Sequence, residues 1–321
     1  MPQTDITSLK PLFVVETPPY IHNGVTIHGM MRDTLLALAP AMILALMAHG
    51  VAAFRVMALA AGVSVLVEAM CVRIAGQKLR IEDGTALISG LLLAFMLPVQ
   101  APWWLVTVGA ALSMILGKHV FGGLGANPLC TPLVGWACLS ISWPKYMNPS
   151  AMVLNTDFLD PLLRLKFFGT QSISPETYKA LLMGEQLGGL GSVYIGALLL
   201  GGIFLVARRA VRWEIPVAYL LTVYALGFLL WHIDPARYIA PELYLLTGST
   251  VFAAFFLATD HPSSPFSIWG IALFGVLAGA MTVLIRAYGT HLDGAPFAIL
   301  LANLFTPLLD MIRPVPWGGR K

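Results

Sequence analysis

The chain has 321 residues, of which 58% are hydrophobic and 11% are charged, and its mean hydropathy is +0.79. A soluble domain carries roughly 25% charged residues, so this composition excludes an ordinary water-soluble protein and favours a bundle of membrane helices. The net charge of +3 is too small to indicate a nucleic-acid partner.

Ten apolar segments follow one another along the chain, and each is predicted to cross the bilayer as a helix. They are residues 34–53, 56–74, 86–97, 103–116, 129–141, 193–207, 215–231, 243–258, 268–285 and 297–311. The chain begins with a polar stretch and lacks an early apolar run, so the first segment is expected to be a retained helix and not a signal peptide.

Two pairs of segments resemble each other across the chain. DGTALISG at 83–90 is similar to PELYLLTG at 241–248, and GGLGANPLCTP at 122–132 is similar to GTHLDGAPFAILLANLFTP at 289–307. Because each repeat would contain an odd number of segments, the two halves would have opposite orientations in the membrane. Inverted repeats with short, Gly/Pro-interrupted helices indicate a site near the membrane midplane, where the repeats meet. The alternative is chance similarity between apolar helices.

The distribution of Lys and Arg predicts the orientation of these helices. With the N-terminus in the cytoplasm, most of the 19 basic residues lie on the cytoplasmic side. The sequence therefore predicts five regions. They are a cytoplasmic segment 1–33, a first repeat 34–142, an extracytoplasmic loop 143–192, a second repeat 193–312 and a cytoplasmic tail 313–321.

Acidic residues within or beside membrane segments are the candidates for function, because burying a charge in the bilayer is costly. They are Glu82, Asp83, Glu242, Asp260, Asp293 and Asp310. Asp83 and Glu242 are expected to sit at helix N-termini, where a carboxylate complements the helix dipole. Asp260 ends the eighth segment, where a negative charge opposes the dipole, and is the candidate for binding. No motif indicates a metal site or a catalytic Ser/His/Asp set.

Several sequence blocks, in order along nearly the whole chain, are similar to one known family. They are PPYIHNG, DGTALISGLLLAFMLPVQAPWW, KHVFGGLGANP, RWEIP, LLTGSTVFAAFFLATDHPSS and DGAPFAILLANLFTPLLD. The chain resembles the RnfD/NqrB family, the membrane subunits of Rnf and sodium-pumping NADH:quinone oxidoreductase complexes, and is more similar to RnfD. The resemblance implies a urea-transporter-like fold with short or broken helices where the repeats meet.

The resemblance also implies an FMN that is joined through its phosphate to a threonine by a separate flavin transferase. The usual S-[GQ]-A-T context is absent here, and the nearest match is Thr156 in LNTD, within the extracytoplasmic loop. Thr156 could instead be the N-cap of a helix DFLDPLLRL. Attachment of FMN at Thr156 and loss of covalent FMN in this branch of the family both remain open at this point.

Other implications of the resemblance concern partners, location and role. A second, non-covalent flavin such as riboflavin is possible, with contacts that the sequence does not assign. The implied partners are Rnf subunits A, B, C, E and G in the bacterial inner membrane, with both termini of this chain in the cytoplasm. The implied role couples electron transfer between ferredoxin and NAD to ion translocation. The alternative hypothesis, based on the inverted repeat alone, is a solute channel or transporter without a redox role.

Overall fold

The computed structural model describes residues 26–76, 83–147, 175–235, 238, 240–289, 291 and 293–312. All regular secondary structure in these ranges is helical, which confirms the all-α prediction. The helices are α1 Ile27–His49, α2 Val51–Ile74, α3 Thr85–Met96, α4 Trp103–Met114, α5 Thr131–Ser142, α6 Pro144–Met147, α7 Pro175–Met183, α8 Ile195–Ala207, α9 Glu214–Ile233, α10 Pro241–Leu246, α11 Thr250–Phe252, α12 Ile268–Tyr288 and α13 Ala295–Asp310. Two of them continue as π-helix, α4 through Ile115–His119 and α11 through Ala253–Leu257.

The apolar character of these helices is that of a multi-pass membrane protein. Four of them, α1, α2, α9 and α12, are long and apolar enough to cross a bilayer unaided. Helices α3, α5, α8 and α13 are equally apolar but shorter, with 10–17 residues each. Short apolar helices of this kind fit a membrane domain in which some segments are interrupted or end inside the protein.

Two predicted segments differ most from the observed helices, and α2 also begins at Val51 instead of residue 56. Helix α1 begins at Ile27, earlier than predicted, because the Thr26 side chain caps it by accepting a hydrogen bond from the Gly29 backbone N–H at 3.1 Å. The eighth segment is not continuous, since Thr247–Ser249 separate α10 from α11 and Gly248 has φ +63°. A left-handed glycine at that point ends one helix and lets the chain start the next.

The two halves of the chain repeat one order of helix contacts. In the first half α2 packs on α3 and α4, and α5 packs on α3 and α4. In the second half α9 packs on α10 and α12, and α13 packs on α12 and on the π-helical stretch after α11. The halves meet where α1 packs on α8 and where α5 packs on α13.

Close approach between neighbouring helices depends on glycine. A Cβ on Gly90 of α3 would lie 2.6 Å from the backbone oxygen of Ala60 on α2. In the second half, a Cβ on Gly279 of α12 would lie 2.7 Å from the backbone oxygen of Tyr219 on α9. Both distances are too short for a carbon atom, so backbone contact at these crossings requires glycine, as is common between membrane helices.

Helix ends of the two halves gather at two opposite ends of the bundle. At one end, the starts of α1, α3 and α5 and the ends of α4, α8 and α11 surround a common cavity. At the other end, the Leu190 N–H donates to the Leu97 carbonyl at 2.8 Å, and the Ser249 N–H donates to the Asp293 carboxylate at 3.0 Å. Of the described helices of the first half, α1, α3 and α5 therefore begin at the cavity, whereas α4 ends there.

Candidate functional site

The cavity at the first of these ends has a volume of about 320 Å³. This is at the lower end of the roughly 300–1,000 Å³ that small-molecule sites occupy. Most of its wall is apolar, from Ile27, Met30, Met31, Ile88, Leu92, Leu205, Phe255 and Phe256. A smaller polar wall is formed by Thr34, Ser89, Lys118, Asn127 and Asp260. An apolar cavity with a few convergent polar groups is typical of a cofactor or ligand site.

Lys118 is the buried cation of this wall. It lies in the π-helical stretch that ends α4, and its side chain is 4% exposed. Its ammonium group forms an ion pair with Glu68 of α2 and donates to Thr85 Oγ1, at the start of α3, at 2.8 Å. Glu68 is itself only 10% exposed, so both charges are compensated inside the bundle.

Asn127 belongs to the glycine-rich connection between α4 and α5. It is 3% exposed, and its amide nitrogen donates to the Leu129 carbonyl at 3.2 Å and to Thr131 Oγ1 at 3.4 Å. These two bonds fix the orientation of the amide. No hydrogen bond among the described residues uses its carbonyl oxygen, which leaves an acceptor at the cavity wall.

Asp260, the acidic candidate from the sequence, lies in the connection between α11 and α12 and lines the cavity. Burial raises the pKa of this carboxyl to about 6, while a hydrogen bond from Ser263 Oγ, at 3.1 Å, and the positive charge of Lys118 lower it. The next residue, His261, also lines the cavity, and burial and the nearby Arg212 lower its pKa. The cavity wall therefore carries two titratable side chains, Asp260 and His261, whose pKa values are shifted by burial and by nearby charges.

A second buried ion pair occupies the opposite end of the bundle. Arg286, at the end of α12, is 2% exposed and pairs with Asp293 at 2.9 Å. It also donates to the backbone carbonyls of Tyr244, at 2.7 Å, and Thr247, at 3.1 Å. Asp293 accepts from both the N–H and the hydroxyl of Ser249, so this pair holds the two ends of the interruption between α10 and α11.

The structure brings only some of the predicted residues to the cavity. Asp260 lines it, Asp293 belongs to the opposite end, and Glu242 lies in the first turn of α10 as expected. Asp83 directly precedes Gly84, the residue that caps α3 without a side-chain hydrogen bond. Thr156 and Glu82 lie outside the described residues.

The Lys118–Glu68 pair was missed by the sequence reasoning. Glu68 was not among the acidic candidates, although it lies inside the apolar α2. An ionisable residue in such a run is a functional candidate by position alone, and its partner is to be sought on a neighbouring helix. That rule would have singled out Glu68, and the buried Lys118 is the partner that the structure supplies.

Comparison with known proteins shows the family of this chain. A sequence model of the NQR2, RnfD, RnfE family matches residues 14–318. Three proteins named as the D subunit of the ion-translocating oxidoreductase complex, from Salmonella paratyphi B, Salmonella heidelberg and Salmonella choleraesuis, are each 34% identical to this chain over 350 aligned positions. Each alignment covers 97% of this chain and 99% of the relative. The chain therefore belongs to the NQR2, RnfD, RnfE family.

Proposed function

We propose that this protein is the membrane subunit of an Rnf-type complex that carries flavin and couples electron transfer between ferredoxin and NAD to ion translocation. The observation that carries this proposal is similarity over nearly the full length to proteins named as the D subunit of an ion-translocating oxidoreductase complex. The fold supports it with a multi-pass bundle that holds a ligand-sized cavity. A solute channel without a redox role is not favoured, because those relatives are named as parts of an oxidoreductase complex.

The proposed topology is ten crossings in two inverted repeats of five helices. The repeated order of contacts and the alternating helix directions support it. The cavity end is assigned to the cytoplasm because Arg208, Arg209 and Arg212 follow α8 at that end. The proposed location is the bacterial inner membrane, with both termini in the cytoplasm. Rnf subunits A, B, C, E and G are the proposed partners, with a flavin transferase for maturation.

The cavity is the proposed site of a second, non-covalent flavin such as riboflavin. Its apolar wall of aliphatic, Met and Phe side chains suits the flat ring system, and Ser89, Lys118 and Asn127 offer polar groups for the ring's hydrogen-bonding edge. The carbonyl oxygen of Asn127 would accept from a ring N–H, and Lys118 would face an electron-rich edge. When bound, the flavin supplies the one- and two-electron chemistry, while the protein holds and orients it.

The covalent FMN is proposed on Thr156, through a phosphoester to its hydroxyl. The proposal follows from the family resemblance and from the position of this threonine in the loop between α5 and α8. It is tested by running the purified chain on a denaturing gel under ultraviolet light. We expect a fluorescent band for the wild type and none for Thr156→Ala. A band that persists in the variant would move the attachment elsewhere, and a wild type that carries no flavin of any kind would refute the redox function.

The cavity flavin needs a separate experiment. Ser89→Phe places a large ring in the cavity, since Ser89 is a small lining residue of α3. We expect this variant to lose the flavin that wild-type protein releases on denaturation, while the covalent band stays unchanged. Thr107→Phe, on α4 and outside the cavity lining, is the matched control and should keep the releasable flavin. Equal release from both variants would place the flavin elsewhere.

A further inference from the structure

The two charges of the buried Lys118–Glu68 ion pair lie at different distances from the cavity. Lys118 lines the cavity, whereas Glu68 lies behind it on α2 and is not part of the lining. Both side chains are nearly excluded from solvent, so water screens their field only weakly. A ligand in the cavity therefore meets the positive end of this pair, and its negative end is further away.

A role of Lys118 in holding helices together does not by itself explain why its positive charge borders the cavity. Lys118 does hold the start of α3 through Thr85, and in the second half Arg286 holds the end of α10 through the carbonyls of Tyr244 and Thr247. However, the described residues of the Arg286 network are not part of the lining of this cavity. The two halves thus share a helix-anchoring cation, and that of the first half, Lys118, is the one that lines this cavity.

We propose that Lys118 raises the reduction potential of the flavin in this cavity, and that Glu68 limits this effect. The inference depends on the proposed function, which places a flavin there. Reduction of a neutral flavin by two electrons and one proton gives an anion, with the negative charge on the pyrimidine part of the ring. A fixed ammonium group at the cavity wall stabilises that anion more than the neutral oxidised form. The nearby Glu68 carboxylate cancels part of this stabilisation.

The test uses the full-length chain with its bound flavin, reduced stepwise with dithionite while the absorption spectrum and the potential are recorded. A Thr156→Ala background removes any covalent flavin at that position from the signal. Lys118→Gln keeps hydrogen-bonding groups for Glu68 and Thr85 but removes the positive charge. We expect it to lower the preference for reduced over oxidised flavin at least tenfold, which is about 30 mV for a two-electron couple. Lys118→Arg should leave the potential near the wild-type value.

Glu68→Gln is the decisive companion variant, because it breaks the same ion pair from the other side. It leaves Lys118 without its counter-charge, so we expect the potential to rise by a similar amount. Structural disturbance of the pair would move both variants in one direction, whereas an electrostatic role moves them in opposite directions. Arg286→Gln, which breaks the ion pair at the far end, where the cation is likewise buried, should not shift the potential.

Two outcomes would overturn the proposal while leaving the cavity flavin in place. One is a shift of Lys118→Gln and Glu68→Gln in the same direction, and the other is no shift in either variant although the flavin is still bound. Failure of the proposed function gives a different result. In that case the wild-type chain releases no flavin on denaturation, and Lys118 then has no redox group to act on.

Discussion

Each end of the bundle contains a buried cation that pairs with a carboxylate and donates to a neighbouring helix, but the residues differ between the two ends. At the cavity end Lys118 pairs with Glu68 and donates to one hydroxyl, that of Thr85. At the far end Arg286 pairs with Asp293 and donates to two backbone carbonyls. Lysine offers a compact point charge with three donors, whereas arginine offers five donors in a planar fork that can serve several acceptors together.

This difference shows how similar halves can take different roles. The Arg286 network uses its donors on the backbone around the interruption between α10 and α11, so its function is to hold that interruption in place. The Lys118 network is simpler and borders a cavity, where a positive charge can act on a ligand. The helix contacts are shared between the halves, while the specialised site depends on a few side chains.

The largest effect is expected from removal of Arg286. Arg286→Ala removes the counter-charge of Asp293, which keeps its hydrogen bonds from Ser249. It also removes one donor from each of the carbonyls of Tyr244 and Thr247, which keep the hydrogen bond from the Thr250 hydroxyl. Breaking a buried ion pair from one side costs about 3–5 kcal/mol. We expect a large loss of folded protein in detergent, measured by thermal unfolding and by the monodisperse fraction in gel filtration. Arg73→Ala, at an exposed position near the end of α2, should behave as wild type.

Double substitutions sharpen the comparison between the pairs. Replacing both Lys118 and Glu68 by Met removes two buried charges together, so we expect the double variant to regain most of the roughly 3–5 kcal/mol that either single change costs. Replacing both Arg286 and Asp293 by Met should regain much less, since Ser249 loses its carboxylate acceptor and the carbonyls of Tyr244 and Thr247 lose the Arg286 donor as well. Thermal unfolding of singles and doubles gives both coupling energies. Equal recovery at the two ends would contradict the assigned difference.

Substitution of the glycines at the helix crossings tests whether the two halves pack equivalently, although their buried ion pairs differ. Gly90→Ala and Gly279→Ala each place a Cβ against a backbone oxygen of the neighbouring helix. We expect both to destabilise the protein by about 1–3 kcal/mol, in the range for overpacking. Gly62→Ala, where the added Cβ meets no atom within 4 Å, is the matched control and should be neutral or slightly stabilising. A large cost in only one half would mean that the crossings are not equivalent.

Much of the helical architecture could be predicted from the sequence, because membrane helices follow directly from long apolar runs. The positions of α3, α9 and α12 were predicted to within a few residues at either end. The early start of α1 was missed, since it depends on the Thr26 cap in a polar stretch. The interruption after α10 was expected only in general terms, as a short or broken helix, and Gly248 locates it.

The candidate site was predicted less completely. Asp260 could be singled out because its position in the chain is unfavourable for a carboxylate, and the structure places it at the cavity. The Lys118–Glu68 pair joins residues that are 50 positions apart on separate helices. Apolar periodicity does not specify which residues on different helices meet, so this contact required the folded chain. Glu68 alone could have been noticed, because an acidic residue within an apolar helix is rare.

The smallest effect, but a specific one, concerns protonation of Asp260 in the cavity wall. Since burial raises the pKa of Asp260 to about 6, its carboxyl is expected to be ionised at pH 7.5 and neutral at pH 5. Infrared difference spectra between these two pH values should show the C=O band of a protonated carboxyl at the lower pH. That band should disappear in Asp260→Asn and remain in Asp310→Asn, a change at the end of α13 outside the cavity lining.

The far end of the bundle offers the contrast. There, amide groups at 190–192 donate to the Phe95 and Leu97 carbonyls, so the end of α3 is covered by neutral backbone groups. A band that survives Asp260→Asn would assign the titration to another carboxyl and remove Asp260 from the pH response of the cavity.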